Sequence, residues 1–184
     1  MALFPMFVNL KEKDILVVGA GNVALRKIEK LLPFSPKITV VAKKVSQQVE
    51  DLCKKNGIKV IKRPFKKEDL KGKDIVIVAV DNIDLQKEIY SKCKELKIHV
   101  NSVDSPDYCD FIFPAYVKKG DIVIGITTSG KAPGLSGKIR EIIENALPDN
   151  LEELLDELVR IRQTKEKGKE RQELIKKIIE EKLG

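Results

Sequence analysis

Residues 14–24, DILVVGAGNVA, constrain this chain more than any other stretch. An apolar, β-branched run that stops abruptly at glycine reads as a short strand buried on both faces. Beyond it, Ala24, Ile28, Leu31 and Leu32 recur at helical spacing until Pro33 closes the pattern. The strand therefore feeds a helix through Gly19-x-Gly21-x-x-Ala24, where each small residue has a task. Gly19 permits the tight turn, Gly21 lets the backbone approach a pyrophosphate, and Ala24 lets helix and sheet pack closely. The unpaired N–H groups at the helix start offer positive potential to phosphates. The bland alternative is a glycine-rich turn that binds nothing, but strand, turn and helix in this order favour a dinucleotide.

The alternation continues. KITVVA, IKVI, DIVIVAV and KIHVN read as four further strands. Between them, Val45, Val49, Leu52 and Cys53 form one helical stripe, and Leu85, Ile89, Cys93 and Leu96 form another. Strands and helices at this pitch predict an α/β fold, a Rossmann-type doubly wound parallel sheet. One element of the dinucleotide pattern is missing. The acidic residue that should end the second strand and hold the ribose hydroxyls is replaced by Ala42, Lys43 and Lys44. Lysines at that point either favour a 2′-phosphate, as in NADP, or face solvent.

After residue 112 the pattern changes. DFIFPAYV and GDIVIGIT read as two strands joined by a KKG hairpin, and only helices follow. Leu135, Ile139, Ile142, Ile143 and Ala146 line one, and Leu151, Leu154, Leu155 and Leu158 line the next. Asn150 and Glu153 have the spacing of a capping box for that second helix. RQTKEKGKERQE reads as a polar break before a last helix lined by Leu174, Ile175, Ile178 and Ile179. The expected organisation is a nucleotide-binding domain at 1–112, a small α+β dimerisation segment at 113–147, and a C-terminal helical tail at 148–184. A single hairpin and a few helices cannot bury their own apolar faces, which predicts a homodimer.

Composition sets the outer limits. The chain is 42% hydrophobic and 34% charged, which is globular. No apolar run approaches the roughly 18 residues of a membrane span. The first residues, MALFPMFVNLKEKD, carry neither a basic leader nor a small-residue cleavage site, so no secretion signal is expected. Three cysteines without CxxC spacing suit a reducing cytoplasm. The net charge of +7 is read as a lysine-rich surface that also attracts a polyanionic small molecule. Nucleic acid is not expected as a partner, since aromatics are 5% and no binding motif is present.

Two loops carry reactive groups. GITTSGKA, residues 125–132, nearly spells a phosphate-binding P-loop, but Ala132 stands where a magnesium-binding hydroxyl is required. NSVDSPDYCDFIFPA, residues 101–115, follows the fifth strand and holds Asp104, Asp107, Asp110 and Cys109. A loop at the carboxyl end of such a strand faces the crevice where these sheets bind ligands. A carboxylate there accepts a proton as a hydride leaves the substrate, or it merely forms turns around Pro106. From chemistry alone the two readings stand even. Cys53, Cys93 and Cys109 read as core filling, and His99, the single histidine, as structural rather than a ligand. No metal site is predicted.

FPMFVNLKEKDILVVGAGNVALRKIEKLL, the 101–115 loop with the hairpin after it, and the helical tail together resemble the precorrin-2 dehydrogenase family of the siroheme-synthase type. Asn-x-x-Asp, Cys-Asp-Phe and Phe-Pro-Ala in that order carry the resemblance more specifically than the glycine turn. The resemblance implies oxidation of precorrin-2 to sirohydrochlorin with NAD, insertion of ferrous iron in some members, and an intertwined homodimer. It maps the catalytic aspartate onto Asp104. On that basis the expected cofactor-binding residues are Gly19, Gly21, Asn22, Val23, Ala42, Lys43 and Asp81. The expected substrate-binding residues are Asn101, Ser129, Lys131 and Lys138, with Arg26 and Arg140 as further cations for a carboxylate-rich tetrapyrrole. A NAD(H)-sensing regulatory module is the alternative from another class.

Overall fold

The computed structural model describes residues 3–103 and 105–183. It divides into two compact units, Met6–Ile112 and Phe113–Gly184 with Met1–Pro5.

The first unit is built on a five-stranded parallel sheet: β1 (Asp14–Val18), β2 (Lys37–Ala42), β3 (Lys59–Lys62), β4 (Ile75–Val78) and β5 (His99–Ser102). Their spatial order is β3-β2-β1-β4-β5. β1 lies between β2 and β4, with Ile15 opposite Ile38 on one side and Ile75 on the other. The strand order thus reverses at β1, and such reversals open a crevice outside the carboxyl ends of the central strands. This is the Rossmann-type sheet the alternating pattern predicts.

Both faces of the sheet are dry, as parallel sheets require. Leu16, Val18, Val76, Val78 and Val100 point to one face and cluster with Ile89 and Cys93 of α3 (Ile83–Leu96). Ile15, Val17, Val40 and Ile77 alternate to the other face and are equally inaccessible. The helices α1 (Asn22–Leu31) and α2 (Gln47–Lys55) pack against each other and contribute Ala24, Ile28, Val49 and Cys53 to the core. Burial pushes the Cys93 thiol up to about 12 and the Cys53 thiol up as well, so both behave as hydrophobes.

At the foot of the sheet, away from the crevice, β1 and β4 are stapled. Asp74 accepts the Asp14 amide at 2.9 Å and pairs with Lys13 at 2.9 Å, while Lys73 approaches Asp14 at 3.5 Å.

The second unit holds β6 (Ala115–Lys119) and β7 (Ile122–Ile126), an antiparallel hairpin against which α4 (Pro133–Ala146) packs. The helices α5 (Leu151–Thr164) and α6 (Lys169–Leu183) pack on each other. Here the structure departs from the sequence expectations in four places. β6 starts only at Ala115, because Asp110 and the Phe111 carbonyl bond back to β5 and Pro114 has no N–H for a ladder. The hairpin closes at Gly120-Asp121, with Gly120 at φ 54°, rather than across KKG. Asn150 precedes α5 but makes no side-chain cap, so the expected capping box does not form. The polar break shortens to 165–168 because both helices extend into it. Among the described residues of this unit, only Val117 and Leu154 are fully buried apolar side chains, and Leu135 and Ile142 of α4 lie more than half exposed.

Candidate functional site

The glycine turn closes the carboxyl end of β1. Gly19 takes φ +109°, and a Cβ there would lie 2.1 Å from the Ala79 carbonyl oxygen at the end of β4. Its N–H donates to Val41 O, and the Ser46 N–H donates to Ala20 O, so the turn is pinned to β2 at residue 19 and to the start of α2 at residue 20. Gly21 is different. Its φ is −95°, and an added Cβ would meet nothing within 4 Å. Gly19 is thus demanded by the fold, whereas Gly21 leaves open space at the first turn of α1. No side chain caps that turn and it holds no acidic residue, so the amides of Asn22 and Val23 face a region suited to an anion. Ala24 is wholly buried.

Around this turn the other expected cofactor contacts fall at the carboxyl ends of the strands. Ala42 ends β2 and is nearly buried, and Lys43 and Lys44 follow it exposed. Asp81 is exposed on the link from β4 to α3, immediately before Asn82, whose side chain caps α3 by accepting the Leu85 N–H at 2.9 Å.

The loop after β5 folds back on that strand. Asn101 and Cys109 form an isolated antiparallel bridge, and Asn101 Nδ2 donates to Phe111 O at 2.8 Å. Cys109 Sγ receives the Ser102 N–H at 3.3 Å and donates toward Ser102 O at 3.1 Å. Burial pushes this thiol up, so it serves as a hydrogen-bonding pin rather than a nucleophile. Asp110 accepts the Val100 N–H at 3.1 Å on one oxygen and Lys94 at 2.7 Å on the other. Its carboxylate, one of the candidate proton acceptors in the sequence, therefore secures the loop to β5 and α3. Asp107 is exposed on a single 3-10 turn, Pro106–Tyr108, whose Tyr108 ring packs at a tilt against Tyr90, with centroids 5.5 Å apart. Asp104, the residue mapped as catalytic, lies outside the described residues.

Among the described residues, two buried oxygens in this region lack partners, Asn101 Oδ1 and Ser102 Oγ. Buried polar atoms are almost always paired, so orphans at the carboxyl end of β5 mark a place prepared for a bound group or water. Together with the open space at Gly21, they fit a dinucleotide and a polar substrate at this end of the sheet.

The remaining expected residues belong to the second unit. Ser129 and Gly130 both have positive φ, and the turn is held by Thr128 Oγ1, which accepts the Ala132 N–H and pairs with Ser136 Oγ at 3.0 Å. Lys131 is exposed on this turn. Lys138 pairs with Glu141 at 3.0 Å and Arg140 with Glu144, both along the surface of α4. Such exposed pairs exchange readily for other anions.

The sequence family described as "Putative NAD(P)-binding" matches residues 6–115. The chain belongs to that NAD(P)-binding family. Its matched region spans the sheet, the glycine turn and the folded-back loop. Among curated relatives, the siroheme synthase of Psychrobacter sp. (strain PRwf-1) is 40% identical over 148 residues, covering 80% of this chain and 30% of that protein. The siroheme synthase of Ruthia magnifica subsp. Calyptogena magnifica is 39% identical over the same length, covering 31% of that protein. The chain thus spans about a third of the length of these relatives. Among solved structures, SirC, precorrin-2 dehydrogenase, superposes with a TM-score of 0.82 at 26% identity, covering 96% of this chain and 89% of that one.

Sequence reasoning missed Gln86. It sits at i−3 and i−7 from Ile89 and Cys93 on the buried face of α3, while Leu96, expected there, is exposed. A polar residue at core spacing was the available signal. His99 is exposed at the start of β5.

Proposed function

We propose that this protein oxidises precorrin-2 to sirohydrochlorin with NAD. The observation that carries the reading is the likeness to SirC, which extends over nearly the whole of both chains. The siroheme synthase relatives support it over 80% of this chain and lend nothing to the NAD-sensing alternative. Gly19, Gly21, Asn22, Val23, Ala42, Lys43 and Asp81 hold the cofactor. Bound NAD supplies the hydride acceptor. The backbone amides at the start of α1 carry the pyrophosphate, and the wall made by Gly19 and Ala79 fixes the depth to which a ligand enters.

Loss of a hydride from carbon leaves a proton to be removed, and Asp104 is the base that takes it. Asn101 Oδ1 accepts a hydrogen bond from the substrate at the end of β5. Ser129, Lys131 and Lys138 take its carboxylates, Lys138 by exchanging Glu141 for the ligand. The proposal covers oxidation and leaves insertion of ferrous iron, which the resemblance implies for some members, as a separate activity.

The same reading divides the chain into the cofactor domain at 1–112, a dimerisation segment at 113–147 and a helical tail at 148–184. It places the protein in the cytoplasm as a homodimer. The sparse core of the second unit and the exposed Leu135 and Ile142 support association. Anaerobic incubation with precorrin-2 and NAD tests the activity. Stoichiometric sirohydrochlorin and NADH are expected, and binding of NAD without turnover would contradict the reading.

A further inference from the structure

Helix α3 buries an amide where its neighbours on the same face, Ile89 and Cys93, are apolar. Gln86 is only 4% exposed, and a buried amide is costly unless its hydrogen bonds are made. Both are made, and both lead to the candidate site. Nε2 donates to Val80 O at 2.6 Å, and Oε1 accepts from Ser105 Oγ at 2.5 Å. The orientation is fixed by chemistry, because a carbonyl can only accept and must face the NH2 group. Val80 follows Ala79, the residue that walls Gly19, so one bond ends on the segment beside the glycine turn. Ser105 directly follows Asp104 in sequence, so the other ends on the loop that bears the proposed base. On the other side of Asp104, the Val103 N–H donates to Val78 O at 3.0 Å. The chain is therefore tied on both sides of residue 104, to β4 through backbone and to α3 through Gln86.

We infer that Gln86 is a positioning residue: its amide clamps the Ser105 side of the loop to the end of β4 and so sets the base in register with the cofactor crevice. This rests on the oxidation reading above. Misplacement of a reacting group by about 1 Å costs on the order of a hundredfold in rate, so a clamp of this kind is felt in turnover.

The test compares the wild type with Gln86→Leu, Ser105→Ala, the double variant and Gln86→Glu, using anaerobic oxidation of precorrin-2 by NAD. Thermal melting confirms that each is folded. Gln86→Leu lowers kcat by about tenfold or more, while KM for NAD and for precorrin-2 stays near the wild-type value. Ser105→Ala adds nothing to Gln86→Leu, because both remove the same bond. Gln86→Glu gives the decisive readout. An ionised carboxylate cannot donate to Val80 O, whereas the protonated acid can do so and still accept from Ser105. Its kcat relative to wild type therefore recovers as pH falls.

A Gln86→Leu enzyme with wild-type kcat, or additive losses in the double variant, or a Gln86→Glu profile parallel to wild type, would overturn the clamp while leaving the oxidation reading intact. A wild type that binds NAD and never oxidises precorrin-2 would overturn both.

Discussion

Gly19 and Ala79 approach so closely that a Cβ on Gly19 would lie 2.1 Å from the Ala79 carbonyl oxygen, whereas a Cβ on Gly21 would meet nothing within 4 Å. The two glycines of one motif therefore answer to different demands, and substitution separates them. Gly19→Ala forces left-handed backbone costing about 1–3 kcal/mol, and the clash adds to it, so a large drop in melting temperature is expected. Gly21→Ala leaves the melting temperature unchanged and weakens NAD binding by about tenfold or more, since the methyl occupies space a pyrophosphate needs. Calorimetric melting and NAD titration read the two effects. Equal destabilisation by both would refute the distinction.

Asp110 belongs to the fold rather than to the chemistry. Asp110→Ala removes bonds to Val100 N–H and Lys94 and costs about 1–3 kcal/mol of stability. Asp110→Asn keeps an acceptor for the Val100 amide and costs less. Urea denaturation orders the three proteins as wild type, Asn, then Ala. If Asn and Ala fall together, the backbone bond is not what holds the loop.

The sheet was legible because β-branched runs and helical stripes alternate without interruption, and a parallel sheet leaves little latitude once the glycine turn is fixed. The site was less so. Three aspartates in the loop look alike in sequence, and only the fold shows that Asp110 is consumed by Val100 and Lys94. Gln86 was invisible to a search for apolar stripes, because its value lies in bonds to residues 6 and 19 positions away. The start of β6 was misjudged because FIFP is as apolar as a strand, yet its residues follow a loop pinned through Asn101 to Phe111 O. Asn150 lacks the cap its spacing with Glu153 advertises, since spacing cannot state a backbone angle.

Acid stability follows from Asp69. The Arg63 guanidinium, bidentate at 2.6 and 2.8 Å, holds this carboxyl below the ordinary range, helped by the Lys66 amide. Lys13 and the Asp14 amide lower Asp74 in the same way, but that pair is more exposed and contributes less. A carboxyl depressed in the folded state stabilises at pH above its unfolded value, about 4, and that stability is lost as pH falls through the folded value. Asp69→Asn is expected to lower stability at neutral pH by about 1–3 kcal/mol and to flatten the decline below about pH 4. An unchanged acid limb would contradict this.

Cofactor choice should be loose. β2 ends in Ala42, and the exposed Lys43 and Lys44 present no carboxylate to repel a 2′-phosphate. NAD is expected to be preferred over NADP by less than about tenfold, or about 1.4 kcal/mol. Lys43→Glu widens that preference. A preference of a thousandfold in the wild type would show that another group reads the ribose.

The most direct measurement is the anaerobic conversion of precorrin-2 by NAD with wild type, Asp104→Asn and Asp104→Ala, alongside NAD titration of all three. The account predicts that both variants bind NAD as the wild type does and lose turnover by about a hundredfold to ten-thousandfold, the contribution of a positioned base. Turnover that survives either substitution would contradict it and leave the proton without an acceptor at Asp104.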